Sequence, residues 1–424
     1  MGPATEELQR ACDGHLSRAT DADAVLGVEA SWVASPASTQ EVAQVMRVAS
    51  ARDLAVVVRG SGTKLAWGRP PERLDIVLDT RRLDTLVEHA AGDLIVVTGA
   101  GRTLDQVQQD VGGANQRLGV DPARRGTVGG AVATASSGPL RLHHGAVRDL
   151  VIGMTLVRPD GVVAHSGGKV VKNVAGYDLG KLLTGSFGTL GVVTEVAFRL
   201  HPVPAGRRWV TRQVTGPGQA QAAVQGLVHS QLMVAGVELD WAEGSGQVST
   251  LVEGHADEGA ARCADEACEL LGGGADAAQD APGSWAAEPE GRDGLLKVTH
   301  EIAALPRLLE ALAAADRASG LRSTLRGSPA VGVGMVGLSA GERAAGDGAA
   351  AGADTTDAVV RFVECLRRDA GTFGGAVVVL EAPDGVREQV DPWGPVGGLE
   401  LMRSVKAQFD PARILAPGRF VGGI

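Results

Sequence analysis

The sequence is poor in the residues that usually mark specialised chemistry. Among 424 residues there are one tyrosine, Tyr177, and four cysteines. Cys12, Cys263, Cys268 and Cys365 are scattered, and the nearest pair has a gap of four residues, which fits neither a zinc knuckle nor a Cys-x-x-Cys redox motif. They read as buried or idle thiols, and no spacing holds an iron-sulfur cluster or a metal. Dense Lys/Arg runs are missing and the net charge is -10. This argues against a surface that neutralises phosphates, and so against nucleic acid as a partner. No apolar stretch is long enough to span a bilayer, which argues against direct membrane insertion. The polar, acidic start from Met1 to Leu16 does not read as a secretory signal. The chain reads as cytoplasmic, with any membrane association made through partners.

Glycine is what the chain has in quantity, at 60 residues, in a soluble composition with 44% apolar and 21% charged residues. The length exceeds what one core supports, so two or more domains are expected. Residues 1–205 alternate short apolar strands with Gly-rich turns, which implies an α+β domain. Within it Ser38 can cap a helix whose Val42, Val45, Met46 and Ala49 recur at helical spacing; strands are expected at Leu54 to Val58, Ile76 to Leu78 and Leu94 to Thr98, and a helix at Leu104 to Val111.

Residues 206–392 read as a second α+β domain, in which two βαββα-like units follow one another. The first is a strand from Trp209 to Val214, a helix from Gln219 to Leu232, strands at Val234 to Leu239 and Gln247 to Val252, and a helix from Glu258 to Leu271. The second is a strand from Leu295 to Thr299, a helix from Leu305 to Ala318, a strand from Val331 to Val336, a helix from Thr356 to Arg368 and a strand from Ala376 to Leu380. Gly/Ala/Asp-rich stretches near 272–293 and 339–355 read as mobile insertions. Residues 393–424 read as a segment of fixed irregular path that returns to the first domain.

Three glycine-rich stretches carry the chemistry. Arg59, Gly60, Ser61, Gly62, Thr63 and Lys64 follow a strand directly, either as a plain tight turn or as a cradle whose backbone N-H groups converge on a diphosphate. Residues 126–138 and 145–153 are too dense in small side chains to build a core unless a ligand or another backbone lies over them. Gly185 to Glu195 again sets glycines before a strand. Val96 to Leu104 imitates a dinucleotide G-x-G-x-x-G, but Leu104 stands where the third glycine is needed, which argues against nicotinamide binding.

In this order and spacing the stretches resemble the FAD-binding domain of the vanillyl-alcohol-oxidase and p-cresol-methylhydroxylase (PCMH) superfamily. The run from Lys172 and Asn173 through Tyr177 to Leu182, followed by Gly185 to Gly188, is similar to the FAD-binding subunit of bacterial glycolate oxidase. The resemblance covers roughly residues 38–205 and the tail Leu401 to Phe420. It implies a PCMH-type FAD-binding domain with a ferredoxin-like cap. It also implies FAD contacts from Arg59 to Lys64, from Gly126, Thr127, Gly129, Gly130, Thr134, Ser137 and Gly138, and from Gly188, Gly191 and Val193, with Arg148 and Asp149 close by.

Related enzymes carry a cap cluster of His, Gly, Asp and Asn that holds a metal and supplies a base. Here the cap has only the separated His229, His255 and His300. His143 and His144 are either supporting imidazoles or catalytic and flavin-linking groups, and Tyr177 either a structural group at the flavin edge or a proton carrier. Where the family commonly has Asn-Pro-Gly, this chain has Ala416, Pro417 and Gly418, so a polar contact to the flavin region is expected to be lost. The implied function is the FAD-binding subunit of a glycolate oxidase, passing electrons from glycolate to a catalytic flavin subunit and an iron-sulfur subunit. The alternatives are a stand-alone dehydrogenase of a small 2-hydroxy acid such as D-lactate and a structural subunit without flavin.

Overall fold

The computed structural model describes residues 3–168, 178–340 and 350–424. The run at 172–177, with Tyr177, lies outside the described residues. The first domain contains two larger sheets and a short two-stranded one that pairs Gln116–Arg117 with His201–Pro202. Helix α1 (Pro3–Ala11) leads into β1 (Leu16–Arg18) and β2 (Trp32–Ala34), then α2 (Thr39–Ala51), β3 (Val56–Arg59) and β4 (Ile76–Asp79). The strands lie in the order β1-β2-β4-β3, with β2, β4 and β3 parallel. Helix α2 starts where the sequence predicts, because the Ser38 hydroxyl accepts the Glu41 N-H at 3.2 Å. Its Val42, Val45, Met46 and Ala49 are fully buried against β3, β4 and the second sheet, each large side chain contributing about 1.5–3 kcal/mol.

The second sheet is built from β5 (Leu86–Ala90), β6 (Ile95–Gly99) and three later strands, with α3 (Leu104–Gly112), β7 (Gln116–Arg117), α4 (Val128–Ala133), α5 (Arg141–His144) and α6 (Val147–Leu150) between. There follow β8 (Val151–Val157), β9 (Val163–Gly167), α7 (Leu179–Leu183), β10 (Val192–Arg199) and β11 (His201–Pro202). The order β5-β6-β10-β8-β9 is antiparallel throughout. The Val96–Leu104 turn is a strand-to-helix junction that packs on α4: a Cβ on Gly129 would come within 2.9 Å of the Ala100 Cβ.

The second domain is one eight-stranded sheet made by two successive βαββαβ units. The first unit is β12 (Gly206–Thr215), α8 (Pro217–Val228), β13 (Val234–Ala242), β14 (Ser245–Gly254), α9 (Asp257–Leu271) and β15 (Ala275–Ala278). The second is β16 (Gly294–Thr299), α10 (Leu305–Ser319), β17 (Leu321–Ser328), β18 (Val333–Ala340), α11 (Ala350–Gly371) and β19 (Ala376–Glu381). The order β15-β12-β14-β13-β17-β18-β16-β19 joins two ferredoxin-like units edge to edge through the antiparallel pair β13 and β17.

Each unit is thus one strand longer than its sequence suggests. Strand β17 alternates Leu321, Ser323 and Leu325 with two arginines, and β15 is mostly alanine, so neither shows the usual β-branched signature. The segment read as a mobile insertion near 272–293 instead supplies β15, sets Trp285 edge-on to Trp209 at 6.3 Å and pairs Glu288 with Arg124 at 2.8 Å.

Alternation along the cap strands decides which side chains reach the first domain. Val237, Leu239 and Trp241 of β13, Leu296 and Val298 of β16 and Leu325 of β17 join the core beneath the cap helices. Glu238, Lys297 and Arg326, at the intervening positions, line a cavity between the domains. Arg117 bridges the domains by donating two hydrogen bonds to the Glu253 carboxylate, at 2.6 and 2.5 Å.

After α12 (Asp384–Gln389) and α13 (Leu399–Phe409) the tail re-enters the first domain. Val56 N-H donates to Ile414 and Ala416 N-H donates to Val56, at 2.7 and 2.8 Å, which adds an edge to β3. Lys406, buried, donates to Asp410 at 2.6 Å and to the carbonyls of Thr189 and Leu415.

Candidate functional site

The loop after β3 crosses directly over the start of α4. A Cβ on Gly60 would stand 2.0 Å from the Thr127 hydroxyl oxygen, and one on Gly126 would stand 3.0 Å from the Thr63 hydroxyl. Only glycine permits this approach. Gly62 has φ +75° and Gly188 has φ +72°, conformations that favour glycine. Among the described residues the backbone N-H groups of Gly60, Ser61, Gly62, Thr63 and Lys64 have no protein acceptor. A row of unspent donors on a concave loop is an anion site. Together with Gly129, Gly130, Thr134, Gly191 and Val193 the loop lines an open groove.

Several side chains in this groove are scaffold. The Arg59 guanidinium is spent on Asp23 at 2.7 Å and Asp79 at 3.1 Å. The Gly129 N-H donates to Ala100 at 2.8 Å, and Thr127 caps α4. From the tail, Arg419 is 4% exposed and donates to the Leu65, Trp67 and Arg69 carbonyls, which ties the glycine loop down. Burial, and then the positive charge of Arg387, lower it to a pKa of about 10.

The groove runs on, past Lys64 and Thr134, into a second cavity between the domains, to which Ser137 and Gly138 contribute. Its charged lining is Lys64, Arg124, Arg141, Lys297 and Arg326 against one acid, Glu238. Arg124 is neutralised by Glu288 and Glu381, and Arg326 by Asp240 at 3.0 Å. Among the described residues the Arg141 and Lys297 side chains have no acidic partner. Burial, and then the neighbouring Arg141, hold the Lys297 ammonium below its usual range. Burial, and then Arg124, bring Lys64 down to about 8. Glu238, 8% exposed, accepts the Ser328 hydroxyl at 2.5 Å, and burial pushes it up to about 8.

Other residues expected at the site lie elsewhere. Arg148 and Asp149 are exposed on α6 and line neither cavity; Asp149 caps that helix by accepting the Ala146 N-H at 2.9 Å. His144 packs on His201 with ring centroids 4.1 Å apart and on His143 at 4.7 Å, outside both cavities. Burial, then the surrounding His201, Arg117 and His143, drop it to about 3, so it stays neutral. Its role is packing, since a Cβ on Gly119 would meet its ring at 2.7 Å. Ala416 is buried with φ 45°, the left-handed region that asparagine tolerates.

The residues that sequence reasoning missed, Arg141, Glu238, Lys297 and Arg326, mostly sit on strands whose polar positions read as a solvated face. Only the sheet's placement against another domain turns that face into a cavity wall.

The glycine-loop groove opens under a doubled ferredoxin-like cap, an arrangement suited to a flavin dinucleotide. Residues 30–167 match the FAD binding domain family, whose cofactor is FAD. The chain is 37% identical over 173 residues to a D-lactate dehydrogenase of Archaeoglobus fulgidus, covering 40% of this chain and 38% of that protein. It is 35% identical over 163 residues to the glycolate oxidase subunit GlcE of Escherichia coli, covering 38% of this chain and 46% of that one. The matched stretches thus span less than half of these relatives. The fold is similar to that of alkyldihydroxyacetonephosphate synthase, with a TM-score of 0.66 at 15% identity over 92% of this chain and 76% of that one.

Proposed function

We propose that the chain is an FAD-dependent oxidoreductase of small 2-hydroxy acids that works as the FAD-binding subunit of a glycolate-oxidase-type complex. The supporting observation is the continuity of the two cavities. A loop of unspent N-H donors suited to the FAD diphosphate opens into a chamber in which Arg141 and Lys297 have no acidic partner among the described residues. A carboxylate would satisfy both cations and orient the adjacent carbon toward the cofactor. Bound FAD would supply the two-electron acceptor. The chain's own part is to hold the diphosphate with residues 60–64, hold the substrate carboxylate with Arg141 and Lys297, and keep water out with the Trp67 and Met335 wall.

Electrons would pass from this flavin to partner subunits, an iron-sulfur subunit among them, since no cysteine spacing here holds a cluster. A second reading, a stand-alone dehydrogenase acting on a D-lactate-like acid, is favoured by the presence of an acid in the same chamber as the cations. The test is anaerobic addition of glycolate or D-lactate to the yellow chain, alone and with partner subunits. Bleaching is expected; bleaching without partners favours the second reading, and a flavin that stays oxidised in every combination contradicts both.

A further inference from the structure

We propose that Glu238 accepts the hydroxyl proton of the substrate, with Ser328 fixing the geometry of its carboxylate. The assignment rests on the 2-hydroxy-acid reading above. In that oxidation the Cα-H bond breaks with its electron pair going to the flavin, the O-H bond breaks, and the C=O bond forms. The remaining proton needs an acceptor next to the substrate carbon.

Among the described residues Glu238 is the one acid lining the chamber, and no histidine lines it. It stands on β13 opposite Ser328 of β17, whose hydroxyl donates to Oε1 at 2.5 Å and leaves Oε2 for the ligand. Lys297 and Arg141 line the same chamber, so a substrate whose carboxylate rests on the cations would share the chamber with the Glu238 carboxylate. No described cluster of three or more His, Cys, Asp or Glu is arranged to hold a metal, so the cap offers no metal-bound base among these residues.

The charged groups facing Glu238 come from every element around it. Asp240 lies on the same strand but is spent on Arg326 of β17. From the first domain comes Asp121, which accepts the Leu140 N-H at 3.3 Å, while Lys297 of β16 and Arg141 of α5 complete the wall. Burial, then Asp121 and Asp240, hold Glu238 at about 8, with only the Ser328 bond acting the other way. The carboxylate form therefore grows as pH rises toward 8, and the rate of flavin reduction rises with it.

The experiment uses the FAD-loaded chain, and with its partners if bleaching requires them. Glu238→Gln is expected to slow flavin reduction by about 100-fold or more while oxalate still perturbs the flavin spectrum at a similar concentration. The rising limb of the wild-type pH profile disappears in this variant. Glu238→Asp restores part of the rate, and Ser328→Ala moves the limb upward because a bond that favours the carboxylate is gone. Independently of turnover, the infrared spectrum of the wild-type chain should contain a protonated-carboxyl band that titrates near this limb and is missing from Glu238→Gln. A Glu238→Gln chain reduced at the wild-type rate with an unchanged limb overturns the proton assignment alone. A wild-type flavin that no 2-hydroxy acid reduces overturns the oxidation reading, and the assignment with it.

Discussion

At the scale of single residues the site is defined by where a side chain is impossible. Gly60 and Thr127 are in closer contact than any Cβ would allow, and the contact positions the loop whose N-H groups face the groove. Gly60→Ala is expected to push the loop off α4, costing about 1–3 kcal/mol of stability and most of the FAD retained through purification. An alanine variant that keeps wild-type FAD content, measured by absorbance per chain, would show that the loop geometry is not what holds the cofactor. These glycines were legible in the sequence because no packed core explains such density. The chamber's charged residues were not, since Glu238 between Val237 and Leu239 looks like any half-exposed strand.

At the scale of elements the C-terminal tail completes the first domain. Ile414 to Ala416 form its added edge against β3, and Arg419 anchors the glycine loop. Ala416 holds a left-handed conformation that costs an alanine roughly 1–2 kcal/mol. Ala416→Asn is therefore expected to raise stability by about 0.5–1 kcal/mol if the amide finds room, and Ala416→Gly to remove the strain at an entropic cost. Chemical denaturation measures both; a loss of more than about 1 kcal/mol in each would contradict the strain argument. The sequence shows an alanine where asparagine is usual, but only the backbone reveals that the position selects for conformation. The two missed cap strands teach the same lesson: β17 carries Arg326 for the chamber and Arg322 outside it, and so lacks the apolar run by which a strand is recognised.

At the scale of the molecule the proposed function needs the two domains apposed, and polar ties such as Arg117 to Glu253 and Arg124 to Glu288 and Glu381 join them. The Arg117 and Glu253 side chains are 14% and 13% exposed, so Arg117→Ala leaves a largely desolvated carboxylate. The expected loss is about 2–3 kcal/mol, below the 3–5 kcal/mol of a fully buried pair because some solvent reaches it. Melting followed by cap tryptophan fluorescence should report it, with FAD content unchanged because neither residue lines the groove. A melting curve identical to wild type would show that this pair does not hold the domains together. The alternation of domains along the chain could be read from composition, whereas their apposition depends on a sheet order that no local pattern encodes.

The central claim is that the groove under the glycine loop holds FAD, and the most direct measurement is the visible spectrum of the purified chain together with its flavin stoichiometry. The account predicts a yellow protein with one flavin per chain, lost in Gly60→Ala. A colourless wild-type chain that takes up no FAD when it is supplied would contradict it.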